Sequence, residues 1–246
     1  MDRSLYVSMS GASEVFTAQA IKANNLANLS TPGFKAALVQ QTSVDVIGEG
    51  LPTRSYAQSE VPGYDLTPGT AQITNNDLDI AIKGEGWIVV SNENGAPGLT
   101  RRGDLSIDAQ GQLVNGAGFR VEGSGGPIII PPAQSVAIAE DGQISVIPIG
   151  ADATTKVIVN KIKLTSVDAA DELKIRTDGL FDLGSESNFE DDISISLQVG
   201  ALETSNVNAV NELVDLISLT RKYELDVKMM NVAKENDEGL ARILQL

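Results

Sequence analysis

The chain contains no cysteine and no histidine. Without cysteine, disulfides contribute nothing to its stability. Without histidine, the commonest general base and the commonest metal ligand are missing. Basic residues are scarce: 18 Lys and Arg stand against 33 Asp and Glu, a net charge of −15. Nucleic acid and anionic membranes are therefore poor partners. No apolar run reaches the ~18 residues that a transmembrane helix needs, so direct membrane insertion is not expected. Met1-Asp2-Arg3 has no basic excess, and Ser8, Ser10, Gly11 and Glu14 interrupt the stretch that follows, so no cleaved secretory signal is expected. Aromatic residues make up only 4%, whereas glycines number 23. That balance suits a turn-rich β region flanked by regular helices. The 246 residues are enough for one large domain or two small ones.

The last 42 residues lack proline altogether and hold one glycine, Gly239. From Ala209, steps of four and three reach Leu213, Leu216, Thr220, Tyr223, Val227, Met230, Lys234, Asp237, Ala241 and Leu244. Most of these are apolar, and the spacing is that of a heptad seam. Val210, Val214, Ile217, Leu225, Met229, Val232, Leu240 and Ile243 widen the stripe beyond one seam. A helix from about 207 to 245 would be roughly 60 Å long. Its apolar face needs a partner, at about 1.5–3 kcal/mol for each large side chain buried. The other chain end has the same period: Leu5, Met9, Ala12, Phe16, Gln19, Ala23 and Leu26 predict a helix over 4–29, ended by Pro32 and Gly33. The two ends are expected to pair with each other and with copies from other subunits. Residues 1–35 carry three basic and two acidic groups, and 205–246 carry five and seven, so nearly all the negative charge lies between them. Nearly neutral ends can pack without repulsion.

Between the ends, residues 36–72 show little periodicity. Gly48, Gly50, Pro52, Pro62, Gly63, Pro68 and Gly69 mark an extended, turn-broken connector. From 73 to 184 short apolar runs alternate with turn signals such as Asn115-Gly116, Asp141-Gly142 and Asp178-Gly179, whose glycines suit tight hairpins. This predicts an antiparallel β domain. Residues 185–202 return as a second connector, with a strand over Ile193 to Val199. The fold class expected is α+β: N- and C-terminal helices (1–35 and 203–246) pairing as a coiled-coil-like core, with an all-β domain inserted between them.

Some residues imitate chemistry. Asp77 and Asp79 could be paired carboxylates. With Asn75 they also imitate the start of a calcium loop, but Ile80 and Gly86 stand where glycine and glutamate are needed. Gly84-x-Gly86 precedes a strand and lacks the third glycine of a dinucleotide loop. Trp87 reads as a core residue. No catalytic, metal or cofactor site is expected.

Three stretches resemble one family, the flagellar basal-body rod and hook proteins of bacteria. They are Ala23-Asn24-Asn25-Leu26-Ala27-Asn28-Leu29-Ser30-Thr31-Pro32-Gly33-Phe34-Lys35; Asn76 to Ile82 with Gly84-Glu85-Gly86-Trp87, Thr100-Arg101-Arg102-Gly103 and Asp108 to Leu113; and Ser205-Asn206-Val207 with Glu212-Leu213-Val214, Arg221-Lys222-Tyr223-Glu224 and Asn236-Asp237-Glu238. The opening Met1-Asp2-Arg3-Ser4-Leu5-Tyr6 and the length most resemble the proximal rod members. Thr220 departs from the family pattern, which often has glutamine there.

The resemblance implies a structural subunit of the periplasmic rod, not an enzyme, exported through the flagellar type III apparatus. Its partners would be other rod subunits and copies of itself. A distal rod or hook subunit is the neighbouring alternative, and a secreted β-rich adhesin is the alternative of a different class. Leu213, Leu216, Ile217, Val227 and Met230 are expected to carry the helix packing, with Leu5, Met9, Phe16 and Leu26 opposite and Tyr223 in the same seam. Arg221 and Glu224 are expected to form ion pairs, and Asn25, Asn28, Gly33 and Phe34 to form the turn. The free monomer's ends are expected to stay loose until they dock.

Overall fold

The computed structural model describes residues 4–46, 55–152, 155–167, 173–183 and 189–244. Gly48, Gly50 and Pro52 of the expected connector lie outside them, as does Met1-Asp2-Arg3. Leu240, Ile243 and Leu244 of the expected stripe lie outside the residues whose side chains are described. The chain is α+β and divides into two units. One comprises residues 1–29, 36–65 and 207–246; the other comprises 30–35 and 66–206.

The first unit is built on two helices. α1 (Ser4–Ala27) stops two residues short of the expected end. There the asparagines turn the backbone: Asn28 N donates to both Asn24 O at 3.2 Å and Asn25 O at 3.1 Å, and its side chain donates to Asn24 O at 3.0 Å. Those bonds satisfy carbonyls that a helix end leaves without partners. α2 (Ala209–Leu244) is capped by Asn208, whose Oδ1 accepts from Val210 N at 3.0 Å and Asn211 N at 3.2 Å. Glu212 in its first turn and Arg242 in its last complement the helix dipole. The helices run antiparallel, since Lys22 meets Glu212, Gln19 meets Thr220 and Gly11 lies beside Asp226.

The expected connector is not wholly extended. β1 (Gln40–Asp45) and β2 (Ser55–Glu60) pair antiparallel, in a register running from Gln40 opposite Glu60 to Asp45 opposite Ser55. No apolar alternation announces these strands, because β1 is exposed on every residue. They are held by backbone pairing and by α1, whose Glu14 accepts from Ser59 N at 2.6 Å.

The second unit is antiparallel throughout its described pairings. Its largest sheet has nine strands: β5 (Trp87–Ser91), β6 (Pro97–Thr100), β7 (Leu105–Ile107), β8 (Leu113–Asn115), β9 (Arg120–Gly123), β10 (Gly126–Pro127), β14 (Leu164–Thr165), β15 (Lys174–Ile175) and β16 (Phe181–Asp182). A smaller sheet holds β11 (Ala133–Ile138), β12 (Gln143–Pro148) and β13 (Val157–Lys161). Ile80, Ile88, Val90, Leu113, Val121, Ile128, Ile144, Ile162 and Leu197 are fully buried in one shared core. β6 had no apolar signature in the sequence: it reads Pro97-Gly98-Leu99-Thr100. Gly98 is required because a Cβ there would press on the Leu180 side chain at 2.9 Å.

The chain closes this unit by pairing its exit with its entrance. β17 (Ser196–Val199) lies along β4 (Ile80–Lys83), and β18 (Ala201–Glu203) lies along β3 (Ala71–Ile73). Gly200, between β17 and β18, accepts from Thr74 N and donates to Asp79 O, both at 2.8 Å. Asp79 is buried and its carboxylate accepts from Thr74 Oγ1 at 2.6 Å and Asn76 Nδ2 at 2.9 Å, while Asp77 is exposed. The Asn-Asn-Asp-Leu-Asp segment is therefore shaped by this closure.

Candidate assembly surface

The seam that joins the two helices is narrow. On α1 it uses Ser8, Ala12, Val15 and Ala18, all buried, and on α2 Glu212 and Ala233. Leu216, Leu219, Asp226 and Met230 of α2 are half-buried along the same line, as are Leu5, Gln19, Lys22 and Leu26 of α1. Small side chains let the backbones approach closely; a Cβ on Gly11 would already touch the Asp226 carboxylate at 3.3 Å. Polar groups complete the seam. Lys22 Nζ reaches Glu212 Oε1 at 3.2 Å and Asp215 Oδ2 at 2.9 Å. Burial alone would lower the Lys22 pKa, but hydrogen bonds and charge from Asp215 and Glu212 outweigh it and hold the ammonium above its usual value. Gln19 Nε2 donates to Thr220 Oγ1 at 3.2 Å, and that hydroxyl donates back to Leu216 O at 2.8 Å. Thr220 is thus engaged inside its own chain.

The expected intrachain seam is corrected by one residue on each helix. Leu5, Ala12, Gln19 and Leu26 lie at or beside it, but their companions are Ser8, Val15 and Lys22 rather than Met9, Phe16 and Ala23. On α2, Leu216 and Met230 lie on it, with Glu212, Leu219, Asp226 and Ala233 as companions; Leu213 and Lys234 are exposed, while Thr220 touches α1 through Gln19 and Val227 is half-buried. The pattern of apolar residues led to the greasier column. The helices chose the column of small and charge-paired residues. Tyr223 is 40% exposed, Val227 is half-buried, and Arg221 and Glu224 are exposed and, among the described residues, in no ion pair.

The greasier columns remain open. Met9 and Phe16 are 54% and 67% exposed on α1; Val210, Leu213, Val214, Ile217, Leu225, Met229 and Val232 are each about half exposed or more on α2. At 3.6 residues per turn, Val210, Val214, Ile217, Leu225 and Val232 fall on the side of α2 turned away from α1. Exposed Arg221 and Lys228 fall among them on the same side. Near its far end a groove of about 310 Å³ opens between Ser8 of α1 and Leu225, Met229, Val232 and Ala233 of α2.

The asparagine and Thr-Pro-Gly-Phe-Lys segment is shared between the units. Asn25 is fully buried, and its amide both donates to Ala37 O and accepts from Ala37 N at 3.0 Å, tying α1 to the chain beyond the turn. Asn28 caps α1. Gly33 belongs to the β unit, with φ of +66° and its N–H donating to Glu203 O at 2.8 Å. A Cβ there would collide with the Arg101 backbone, so only glycine fits. Phe34 O accepts from Asn206 N at 3.3 Å. The sequence reading missed Lys35, Arg101 and Glu203, which form a buried ion cluster: Lys35 Nζ to Glu203 Oε1 is 2.6 Å and Arg101 Nη1 to Glu203 Oε2 is 3.1 Å. The signal for it was present in Lys35 and Arg101, each inside a quoted motif, but no periodicity points to their shared partner.

The chain thus joins a β unit with its own core to a helix pair that carries exposed large apolar side chains. Three family models match in chain order: flagella basal body rod protein over residues 5–35, flagellar hook protein FlgE/F/G D1 domain over 81–146, and flagellar basal body rod FlgEFG protein C-terminal over 198–243. The flagellar basal-body rod protein FlgF of Salmonella typhimurium is 37% identical over 252 residues, covering 100% of both chains. FlgF of Escherichia coli is likewise 37% identical over 252 residues and 100% of both. The rod protein FlgG of Bacillus subtilis is 28% identical over 257 residues, covering 96% of each. The chain belongs to the flagellar basal-body rod protein family and is a structural subunit of the rod. The adhesin alternative is not favoured by these matches.

Proposed function

We propose that this chain is a proximal rod subunit that polymerises through the open faces of its terminal helices into the wall of a tube. The observation that carries this reading is the inversion of greasiness across the helix pair: the exposed columns hold Met9 and Phe16 beside the seam and Val214, Ile217 and Leu225 behind it, whereas the seam holds Ser8, Ala12, Glu212 and Ala233. Each large side chain covered by a neighbour would contribute about 1.5–3 kcal/mol. The interface would include Leu5, Met9, Phe16, Leu26, Leu213, Leu216, Ile217, Tyr223, Val227 and Met230, with Arg221 and Glu224 pairing across subunits and Asn25, Asn28, Gly33 and Phe34 setting the turn. Full-length similarity to FlgF supports the proximal position over the distal rod or hook.

The chain works without catalysis, metal or cofactor. It reaches the periplasmic rod through the flagellar type III export apparatus, its ends ordering as they dock on earlier subunits. Neither nucleic acid nor membrane is a partner: the charge of −15 opposes both. Among the described residues, no helix is long and apolar enough to cross a membrane.

The test is a double substitution, Val214→Asp with Ile217→Asp, in a bacterium whose own copy of the gene is deleted. The expected result is export of a folded chain that fails to enter purified basal bodies and fails to restore swimming. Normal rods containing the doubly charged subunit would overturn the reading.

A further inference from the structure

The chain passes between the two units at four places, and the three segments of the β unit that meet those passages are 30–35, 66–71 and 201–206. One carboxylate touches all three. Glu203 lies on the third. Its Oε1 accepts from Lys35 Nζ of the first at 2.6 Å and from Gly69 N of the second at 3.0 Å. Its Oε2 accepts from Arg101 Nη1 at 3.1 Å. Lys35 Nζ also donates to Thr67 O at 2.8 Å. Backbone bonds run beside these: Gly33 N to Glu203 O at 2.8 Å, Thr204 N to Thr70 O at 2.9 Å, and Asn206 N to Phe34 O at 3.3 Å.

The charges are out of water. The side chains of Lys35, Arg101 and Glu203 are 0%, 3% and 4% exposed. Arg101 is also faced by Trp87, whose ring lies 5.4 Å from the guanidinium carbon. Trp87 in turn packs on Phe181 with ring centroids 4.9 Å apart. A buried cluster of this kind is a weak source of net stability, since well-packed apolar side chains could replace it. What apolar side chains could not do is fix three separate backbones to one point with directional bonds. Removing Glu203 takes away the carboxylate that Lys35 and Arg101 both face in a dry site.

We propose that Glu203 is a mechanical clasp, holding together the segments by which the β unit is joined to the helices, so that a pull applied through those segments meets the ion cluster first. The proposal deepens the rod reading, in which these segments are the covalent links between helices and β unit, but its test uses a lone chain. The absence of cysteine makes handle placement simple. Full-length protein with Ser30→Cys and Ala209→Cys is held between DNA handles in optical tweezers, with and without Glu203→Ala. A second handle pair, Asn94→Cys with Gln110→Cys, pulls on the β unit alone from two exposed turns. An Asp104→Asn variant, which loosens the half-buried Arg102–Asp104 pair at 2.7 Å, serves as a control.

Through the first handle pair, Glu203→Ala is expected to unfold roughly a hundredfold faster at constant force than the parent, and Asp104→Asn about as fast as the parent. Through the second pair the effect of Glu203→Ala is expected to be at least about tenfold smaller, because that pull does not open the clasp first. Equal acceleration through both handle pairs would make Glu203 a general stabiliser and overturn the proposal. So would parental rates for Glu203→Ala through the first pair. Neither failure would bear on whether the helices polymerise, which the Val214 and Ile217 substitutions test separately.

Discussion

The β unit and the helix unit spend the same kinds of apolar residue differently. In the β unit, Ile80, Ile88, Leu99, Leu113, Ile128, Ile144, Ile162 and Leu197 are at 0% exposure. In the helix unit the buried hydrophobic residues, among those described, are Ala12, Val15, Ala18, Val207 and Ala233, while Phe16, Val210 and Leu225 exceed 60%. A long helix has little propensity to persist by itself and takes most of its stability from tertiary packing of an apolar face. The β unit therefore has within one chain what it needs to fold. The helix unit has a seam that aligns two helices and leaves large apolar side chains exposed.

Removal of residues 207–246 should separate these two behaviours most sharply. All the described strands of the β unit lie outside the deleted segment, as does Glu203. The truncated chain is expected to keep its β-sheet circular dichroism and the emission of its buried Trp87, and to lose incorporation into rods completely. Loss of the β signal would mean that the units are not independent. A smaller effect distinguishes them residue by residue. Leu113→Ala empties a site in the β core and should cost about 2–5 kcal/mol in chemical denaturation followed by Trp87 fluorescence. Ile217→Ala, on a residue 55% exposed, should change the same transition by less than ~0.5 kcal/mol. Similar costs at both sites would erase the contrast.

The fold class was legible because the chain switches period: four-and-three steps at the ends, short runs broken by Asn-Gly and Asp-Gly between. Family membership was legible because three motifs stood in order. The strands that escaped were those whose pairing does not depend on apolar alternation, namely β1, wholly exposed, and β6, which needs Gly98 for closeness to Leu180. The seam was legible only at one of its two heptad positions. Leu216 and Met230 were read on it, but the second position holds Glu212 and Asp226, residues that a hydrophobic pattern cannot select. Their place is set by Lys22 and by the room beside Gly11, and both depend on how the second helix lies. Lys35, Arg101 and Glu203 were hidden for a related reason. A buried charge is tolerated where partners arrive from distant positions, and sequence spacing carries no trace of them.

Lys22 offers the finest probe of the difference, because it holds the helix seam by charge where the β core is held by packing. Its side chain is 20% exposed, and its partners Glu212 and Asp215 are 9% and 50% exposed. With its folded pKa above the ordinary 10.5, the ammonium contributes its full stabilisation below about pH 10.5 and loses it as pH rises through the higher, folded value. Lys22→Met keeps much of the stem and removes the charge, leaving Glu212 without its cation in the seam. The cost at pH 7 should be about 0.2–1 kcal/mol, within the range of partly exposed pairs. Helix content followed by circular dichroism should fall between pH 10 and 12 in the parent chain by more than in Lys22→Met, while the Leu113-centred β core shows no difference between the two. If both chains lose helix equally over that range, the alignment of α1 on α2 rests on Ala12, Val15 and Ala18 alone, and the charge pair is incidental to it.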